Sequence, residues 1–454
     1  MRFNKLTTWI GIALVLGIGV GAACHSGAAD AAAAKEIGSY FSMVADIFLR
    51  LVKMIIAPLV FATLVAGIVG MSDGKSVGRI GARAMGWFVG ASFLSLLLGL
   101  LWANLLHPGK SLNLPLPDAH AATNLKTASL NVKDFLLNVF PKSIFDAMAS
   151  NAVLQIVVFS LFFGFAMRAV RDRAGEAMVS AIDGLVHVMI KVTDYVMLFA
   201  PAGVFAAVAA AITVQGLGVL GTFAKFIASF YVGLSSLWLL LVLAGYLVLK
   251  GRVFRLLGLV REPTMIAFST ASSEAAYPKT MEQLKKFGVK SEVTGFVLPL
   301  GYAFNLDGSM MYQAFAVLFV AQAYGVEMSF ATQLSLLLFL MISSKGMAGV
   351  SRASLVVVAA TLPMFGLPEA GLLLIMGVDV FLDMGRTATN VIGNSLATSV
   401  IAKWEGKLDA EEAADPAPAA HAAHAAHGDS LSQEGGTPHI ADLPRPVRTI
   451  EPAV

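Results

Sequence analysis

The sequence predicts an all-α membrane protein of eight transmembrane helices and two re-entrant helical hairpins, and three observations lead there. The 454 residues are 57% hydrophobic and only 13% charged, with a mean hydropathy of +0.76, too apolar for a chain whose whole surface faces water. Six long apolar runs fill the first 255 residues. Beyond them the apolar stretches shorten, and two are interrupted at their middles by small polar residues.

The runs cover roughly residues 8 to 26, 40 to 71, 84 to 106, 151 to 170, 185 to 213 and 223 to 250. Each is able to cross about 30 Å of hydrocarbon, some with tilt. Arg2 and Lys5 ahead of the first run resemble the start of a signal peptide, and Cys24 a lipidation site. Gly21 stands where a lipidation site carries a large aliphatic residue, and many apolar runs follow, so an uncleaved first span is expected. Basic clusters follow alternate runs: Lys75, Arg79 and Arg83, then Arg168, Arg171 and Arg173, then Lys250, Arg252 and Arg255. The positive-inside rule puts these ends and the N-terminus in the cytoplasm. Arg50, Lys53 and Pro58 interrupt the second run, and His187, Lys191, Asp194 and Pro201 the fifth. Charges of this kind snorkel or pair at tilted helix ends, or line a pathway.

The first interrupted stretch, Arg261 to about Lys286, has the centre FSTASSEAAYP; the second, Leu334 to Pro363, has the centre ISSKGMAGVSRAS. Each arm is too short to cross a bilayer, so each stretch reads as a hairpin whose non-helical tip is buried in protein or faces water. A long helix-forming segment with a polar cluster follows each: FNLDGSMMYQ from Phe304 to Gln313, then DMGRTATNVIGN from Asp383 to Asn394. Hairpin plus helix, twice over, is the pattern of an inverted repeat with its site near the bilayer midplane. Beyond Lys403 the chain turns Ala, Glu, Pro and His rich, as a disordered tail does. His421, His424 and His427 there have no preformed geometry for a metal.

Asp379, Asp383, Arg386, Thr387, Asn390 and Asn394 share one stripe of a 3.6-residue helix. A polar stripe in an apolar bundle lines a cavity, or else holds a structural pair between Asp383 and Arg386. A guanidinium binds carboxylates through a planar fork, which suits Arg386 to a side-chain carboxylate. Asp383 suits an ammonium group, and Asn390 and Thr387 a main-chain carboxylate. A ligand with one ammonium and two carboxylates, glutamate or aspartate, matches all four. Asn305, Asp307 and Ser309 surround Gly308, where a broken helix would expose oxygens to a hard cation such as sodium, or form a hydrogen-bonded kink without one. Glu274 at the first hairpin tip is a candidate proton carrier or a plain solvent-facing tip residue.

Other classes find less support. One cysteine excludes an intramolecular disulfide, and no Cys and His spacing forms a metal cage. The net charge of +3 resides in clusters between apolar runs, which argues against nucleic acid. No nucleophile is paired with a base, so an enzyme is not expected. An anion channel remains as an alternative of another class.

These motifs together resemble the dicarboxylate/amino-acid:cation symporter family of glutamate and aspartate transporters, nearest to its bacterial proton-coupled members. The likeness runs from about residue 8 to 404 and rests on Ser272-Ser273, NLDGS, SKGMAGV and DMGRTATNVIGN in that order. It implies a homotrimer in the bacterial inner membrane, moving substrate by an elevator motion, with no cofactor and protons or sodium co-transported. Residues 1–255 would be mostly scaffold, with helices 3 and 6 joining a transport domain of residues 256–404, and 405–454 a cytoplasmic tail. The resemblance implies that Arg386 binds the side-chain carboxylate, Asp383 the amino group and Asn390 the main-chain carboxylate, with Thr387, Ser272, Ser273, Ser309, Gly349 and Val350 lining the site. It assigns Gly301, Asn305, Asp307, Asn394 and Glu274 to cation coupling. The second hairpin is the expected extracellular gate. Carriers of C4-dicarboxylates tend to replace the aspartate at the position of Asp383, so its presence favours amino acids. Asn394, Phe88 and Ala91 replace oxygen donors of sodium-coupled relatives, which favours protons. Ser351 and Arg352 depart from the usual Pro-Gly of the gate.

Overall fold

The computed structural model describes residues 5–71, 74–111, 137, 139–170, 173–218, 223–344, 353–376 and 378–409. Among them the regular structure is helical: α1 Lys5–Gly27, α2 Ala31–Gly70, α3 Gly74–Leu106, α4 Ile144–Ala149, α5 Val153–Ala169, α6 Arg173–Met197, α7 Ala200–Gln215 and α8 Ala224–Leu249. The second part holds α9 Arg252–Thr270, α10 Ser273–Phe287, α11 Ser291–Phe304, α12 Asp307–Ala323, α13 Phe330–Ser343, α14 Ala353–Thr361, α15 Leu373–Met376 and α16 Asp379–Trp404. Helices satisfy their own backbone groups, which is what a chain without water around it requires.

Four of these helices, α1, α2, α3 and α8, are long and apolar enough to cross a membrane, or five spans if α6 and α7, which meet at 52°, count as one. The chain is therefore a multi-pass membrane protein. The fifth apolar run is broken rather than continuous, because Pro201 enters the first turn of α7 and its ring cannot continue α6. The second is longer than its apolar core. Asp30 caps α2 by accepting from the Ala33 N–H at 2.8 Å, and the helix runs 40 residues, about 60 Å at 1.5 Å per residue. Of the charges inside the runs, Lys191 and Asp194 stand 3.8 Å apart on the exposed face of α6, as pairing predicts.

Two groups of helices pack among themselves. In one, α2 lies against α5, α6 and α7, and α7 against α1. In the other, α16 lies at the centre, packed on α3, α8, α9, α10, α11 and α12, while α12 also packs on α3. Contacts of α2 with α10 and α11 join the groups. Every residue of α16 from Phe381 to Ala402 is buried. Such a helix is surrounded by protein, and its polar side chains need protein or ligand partners.

The first interrupted stretch differs from expectation in its first arm. α9 begins at Arg252, not Arg261, so Arg252 and Arg255 of the basic cluster after the sixth run are helical, and its 19 residues reach about 28 Å. It packs against α10 across a break at Ala271 and Ser272. Ala271 closes α9 in the left-handed region (φ 47°), where a residue with a Cβ is strained, and the Ser272 Oγ caps α10 by accepting from the Ala275 N–H at 3.3 Å. For the second stretch, α13 and α14 both pack on α12. Its tip, including Gly349, Val350, Ser351 and Arg352, lies outside the described residues, as do His421, His424 and His427.

The chain remains packed past the expected start of the tail. Glu405 is buried between Arg79 and Arg83 of α3, at 2.8 and 2.7 Å. Leu408 forms a β-bridge with Val289, and Lys407 pairs with Glu292 at 2.6 Å.

Candidate functional site

The site forms where α16 meets the break between α11 and α12. Helical geometry ends at Asn305 (φ −121°, ψ 68°) and resumes at Asp307, so the break falls on Asn305 and Leu306 rather than at Gly308. Gly308 has another task. A Cβ there would strike the carbonyl of Arg386 and the side chain of Thr389, so the absent side chain lets α12 lie on α16. Gly393 and Gly301 make similar room, the first for the Asp307 carboxylate and the second for the Asn394 amide.

Arg386 is 1% exposed and is held from several sides. Its Nε donates to Asp383 Oδ1 at 2.7 Å, and its Nη1 to Asp379 Oδ1 at 2.8 Å. Nη2 reaches Asp379 Oδ2 at 3.4 Å, so Asp379 spans both terminal nitrogens of the fork. The Tyr312 ring lies under the guanidinium, 4.1 Å from its centroid, and the Tyr312 hydroxyl donates to Asp379 Oδ1 at 2.9 Å. The Asp383–Arg386 pair, the structural alternative to a cavity-lining stripe, is present, and a second carboxylate joins it. Asp379 sits on the predicted stripe one turn before Asp383, yet its partnership with Arg386 and Tyr312 was not read from the sequence. The signal was the spacing of seven to Arg386, two turns along one face.

Charge counting shows what the cluster can do. One guanidinium faces two carboxylates, an excess of negative charge in a buried place, and a buried pair in low dielectric is held against a desolvation cost of several kcal/mol per ion. A cation or an ammonium would relieve that excess, and a carboxylate could take a place on the fork. Asp383 is the more accessible of the two carboxylates, 12% against 0% for Asp379 at the side chain.

The neutral polar residues are engaged as well. Asn390 Oδ1 accepts from the Gly308 N–H at 2.9 Å and the Ser309 N–H at 3.4 Å, and its Nδ2 donates to Ser309 Oγ at 3.1 Å. It thereby pins the first turn of α12 onto α16. The Thr387 hydroxyl donates to the carbonyl of Asp383. Both would exchange these bonds to contact a ligand.

Deeper along α16, Asn305 Nδ2 donates to Asp307 Oδ2 at 3.0 Å and to Asn394 Oδ1 at 3.3 Å. The Asn305 Oδ1 and the Asn394 Nδ2 are buried without hydrogen bonds. Phe88, fully buried beside Gly301, and Ala91 add no oxygen. The set offers one carboxylate and neutral amides, fewer hard donors than a cation cage usually assembles. No group of three or more His, Cys, Asp or Glu residues suited to a metal occurs among the described residues.

Thus the fold brings together Arg386, Asp383, Thr387, Asn390, Ser309, Asn305, Asp307, Asn394 and Gly301. Ser272 and Ser273 stand at the break between α9 and α10, two helices that both pack on α16. Glu274 is buried in the first turn of α10, with Lys53 of α2 as its charged neighbour rather than the α16 stripe.

Comparison with known proteins completes the picture. A family model described as the sodium:dicarboxylate symporter family matches residues 6–404. A proton/sodium-glutamate symport protein of Bacillus caldotenax is 37% identical over 418 residues, covering 91% of this chain and 97% of the relative. One of the same description from Bacillus subtilis is 36% identical over 415 residues, 90% of this chain and 94% of that one. A C4-dicarboxylate transport protein of Rhodospirillum rubrum is 40% identical over 388 residues, covering 84% and 86%.

Proposed function

The chain belongs to the sodium:dicarboxylate symporter family, and from that premise we propose that it is a secondary active symporter that takes up glutamate or aspartate together with protons. The observation that carries this reading is Arg386, buried between two carboxylates beside a broken helix. The side-chain carboxylate of the substrate takes a place on the guanidinium fork, and the ammonium neutralises Asp383 as it leaves the fork. The main-chain carboxylate meets Asn390, Thr387, Ser309 and the tips bearing Ser272, Ser273, Gly349 and Val350. An amino-dicarboxylate therefore replaces internal partners with equivalent external ones, and the exchange loses little electrostatic energy.

Glu274 carries the proton, and Asn305, Asp307, Asn394 and Gly301 form the remaining coupling site. Its shortage of hard oxygens supports protons over sodium. The architecture that goes with this reading is eight spans and two re-entrant hairpins, α9 with α10 and α13 with α14, in inverted repeats. α9 to α16 with α3 and α8 form a transport domain that slides like an elevator against a scaffold of the other early helices. Packing of α3 and α8 on α16 or its neighbour α12 supports that division. The assembly is a homotrimer in the bacterial inner membrane, with both termini cytoplasmic.

The relatives named for C4-dicarboxylates favour a second reading, a succinate, fumarate or malate symporter. Asp383 supports the first, because succinate has no ammonium to pair with it. The test is uptake of labelled glutamate into proteoliposomes under separately imposed gradients. A pH gradient alone should drive accumulation. Uptake that appears only with sodium would overturn proton coupling, and labelled succinate that accumulates without competition from glutamate would favour the second reading.

A further inference from the structure

A second polar cluster lies between α2, α10 and α11, next to the break that carries Ser272 and Ser273. Glu274 is 8% exposed there, and its charged neighbour is Lys53. Tyr277, one turn further along α10, and Tyr302 of α11 meet edge to face with centroids 5.0 Å apart, both buried. The Tyr302 hydroxyl stands within electrostatic reach of Glu274. Thr63 lies beside Tyr277 and Thr280 beside Tyr302. Each threonine, however, gives its proton to its own helix, Thr63 to the Leu59 carbonyl at 2.7 Å and Thr280 to that of Ala276 at 2.8 Å. Neither tyrosine hydroxyl completes a hydrogen bond of normal geometry.

A buried hydroxyl left in that condition costs roughly 1–3 kcal/mol, and phenylalanine would fill the same space without the cost. Inside a membrane the partner that satisfies it is protein or ordered water. The Tyr302 hydroxyl and the Glu274 carboxyl, with Tyr277 one turn along α10 against the Tyr302 ring, gather polar groups in an apolar wall.

We propose that Tyr277 and Tyr302 are positioning residues of a proton-loading pocket, holding water against Glu274 so that the coupled proton reaches the carboxylate there and not through the Arg386 site. This rests on the proton-coupled reading of the function. The proton arrives from solution as hydronium, a carboxylate oxygen of Glu274 forms the new O–H bond, and water is left behind. On the other side of the membrane the same bond breaks and the proton returns to water. The tyrosines keep their own protons, hydrogen-bonding the water that stands against the carboxylate. The groups around Glu274 agree with this use. Lys53 of α2 balances the ionised form, Glu262 of α9 is tied to Lys279 of α10 at 3.3 Å, and the α16 charges Asp383 and Arg386 are paired with each other. α11 contributes Tyr302.

The experiment compares two fluxes in proteoliposomes of wild type, Tyr302→Phe and Tyr277→Phe. One is net uptake of labelled glutamate driven by a pH gradient, with protons counted by an internal pH dye. The other is exchange of labelled for unlabelled glutamate at equal pH, in which the loaded carrier shuttles without releasing its proton. Tyr302→Phe should lower net uptake by about tenfold and leave exchange within about twofold of wild type, as loss of one hydrogen-bond partner on the proton route requires. Tyr277→Phe should act in the same direction. Glu274→Gln, which mimics the protonated acid, should show the same split in stronger form. Equal losses in both fluxes would mean a packing role and overturn the pocket, as would wild-type behaviour of both tyrosine variants. A wild type that a pH gradient does not drive would overturn the proton reading, and the pocket with it.

Discussion

α8 and α16 are each 26 residues long and pack side by side, yet they are opposite in character. α8 is apolar almost throughout and exposes one face, with Leu239 70% and Leu247 66% accessible. α16 buries Asp379, Asp383, Arg386, Thr387, Asn390 and Asn394 within the bundle. The exposed face of the first suits lipid, and the second is enclosed by protein. A helix of the second kind is unstable in a membrane unless each polar group finds a partner, so its composition is evidence of a site. The partners seen here are internal: Asp379 and Asp383 on Arg386, and α12 on Asn390.

That contrast can be tested one residue at a time. After loss of Arg386 itself, Asp383→Ala should have the largest effect. It removes the group proposed to pair with the ammonium and should weaken glutamate binding by about 2–3 kcal/mol, some 30- to 150-fold, while competition by succinate stays close to wild type. Competition assays with both ligands check this, and equal losses for both would make Asp383 purely structural. Gly308→Ala should follow. Its methyl group would press on the Arg386 carbonyl, costing about 1–3 kcal/mol by overpacking, read as a lower midpoint of thermal unfolding in detergent.

Tyr312→Phe keeps the ring under the guanidinium and removes the hydroxyl from Asp379, a change of about 1–2 kcal/mol that should appear in stability and ligand affinity together. Leu239→Ala on the exposed face of α8 should change stability by no more than about 0.5 kcal/mol. If that variant proved as damaging as Tyr312→Phe, α8 would face a partner and not lipid, and the comparison with α16 would fail.

The same contrast explains what was legible in the sequence. Spans appear as apolar runs because lipid accepts only apolar side chains, and α1, α3 and α8 were readable for that reason. The polar stripe of α16 was readable because its residues repeat at helical spacing. Packing within protein leaves weaker marks. Gly308 looked like a helix breaker, but it serves a close approach to α16 that only coordinates display, and the break lies at Asn305 and Leu306. Asp379 and Tyr312 are 67 residues apart and meet only in the folded bundle. Ala271 in a left-handed conformation carries no sequence signal either, since glycine is the usual residue there. The packing of residues 405–409 was hidden because its anchors, Arg79, Arg83, Lys290 and Glu292, belong to distant segments.

The central claim is that the Arg386 guanidinium exchanges an internal carboxylate for one belonging to the substrate. The most direct measurement is calorimetric binding of glutamate to purified Arg386→Lys, which keeps the charge between Asp379 and Asp383 but lacks the planar fork. Affinity should fall at least about 30-fold with the unfolding midpoint held within a few degrees, the signature of a lost bidentate contact. Glutamate binding within twofold of wild type would contradict the account.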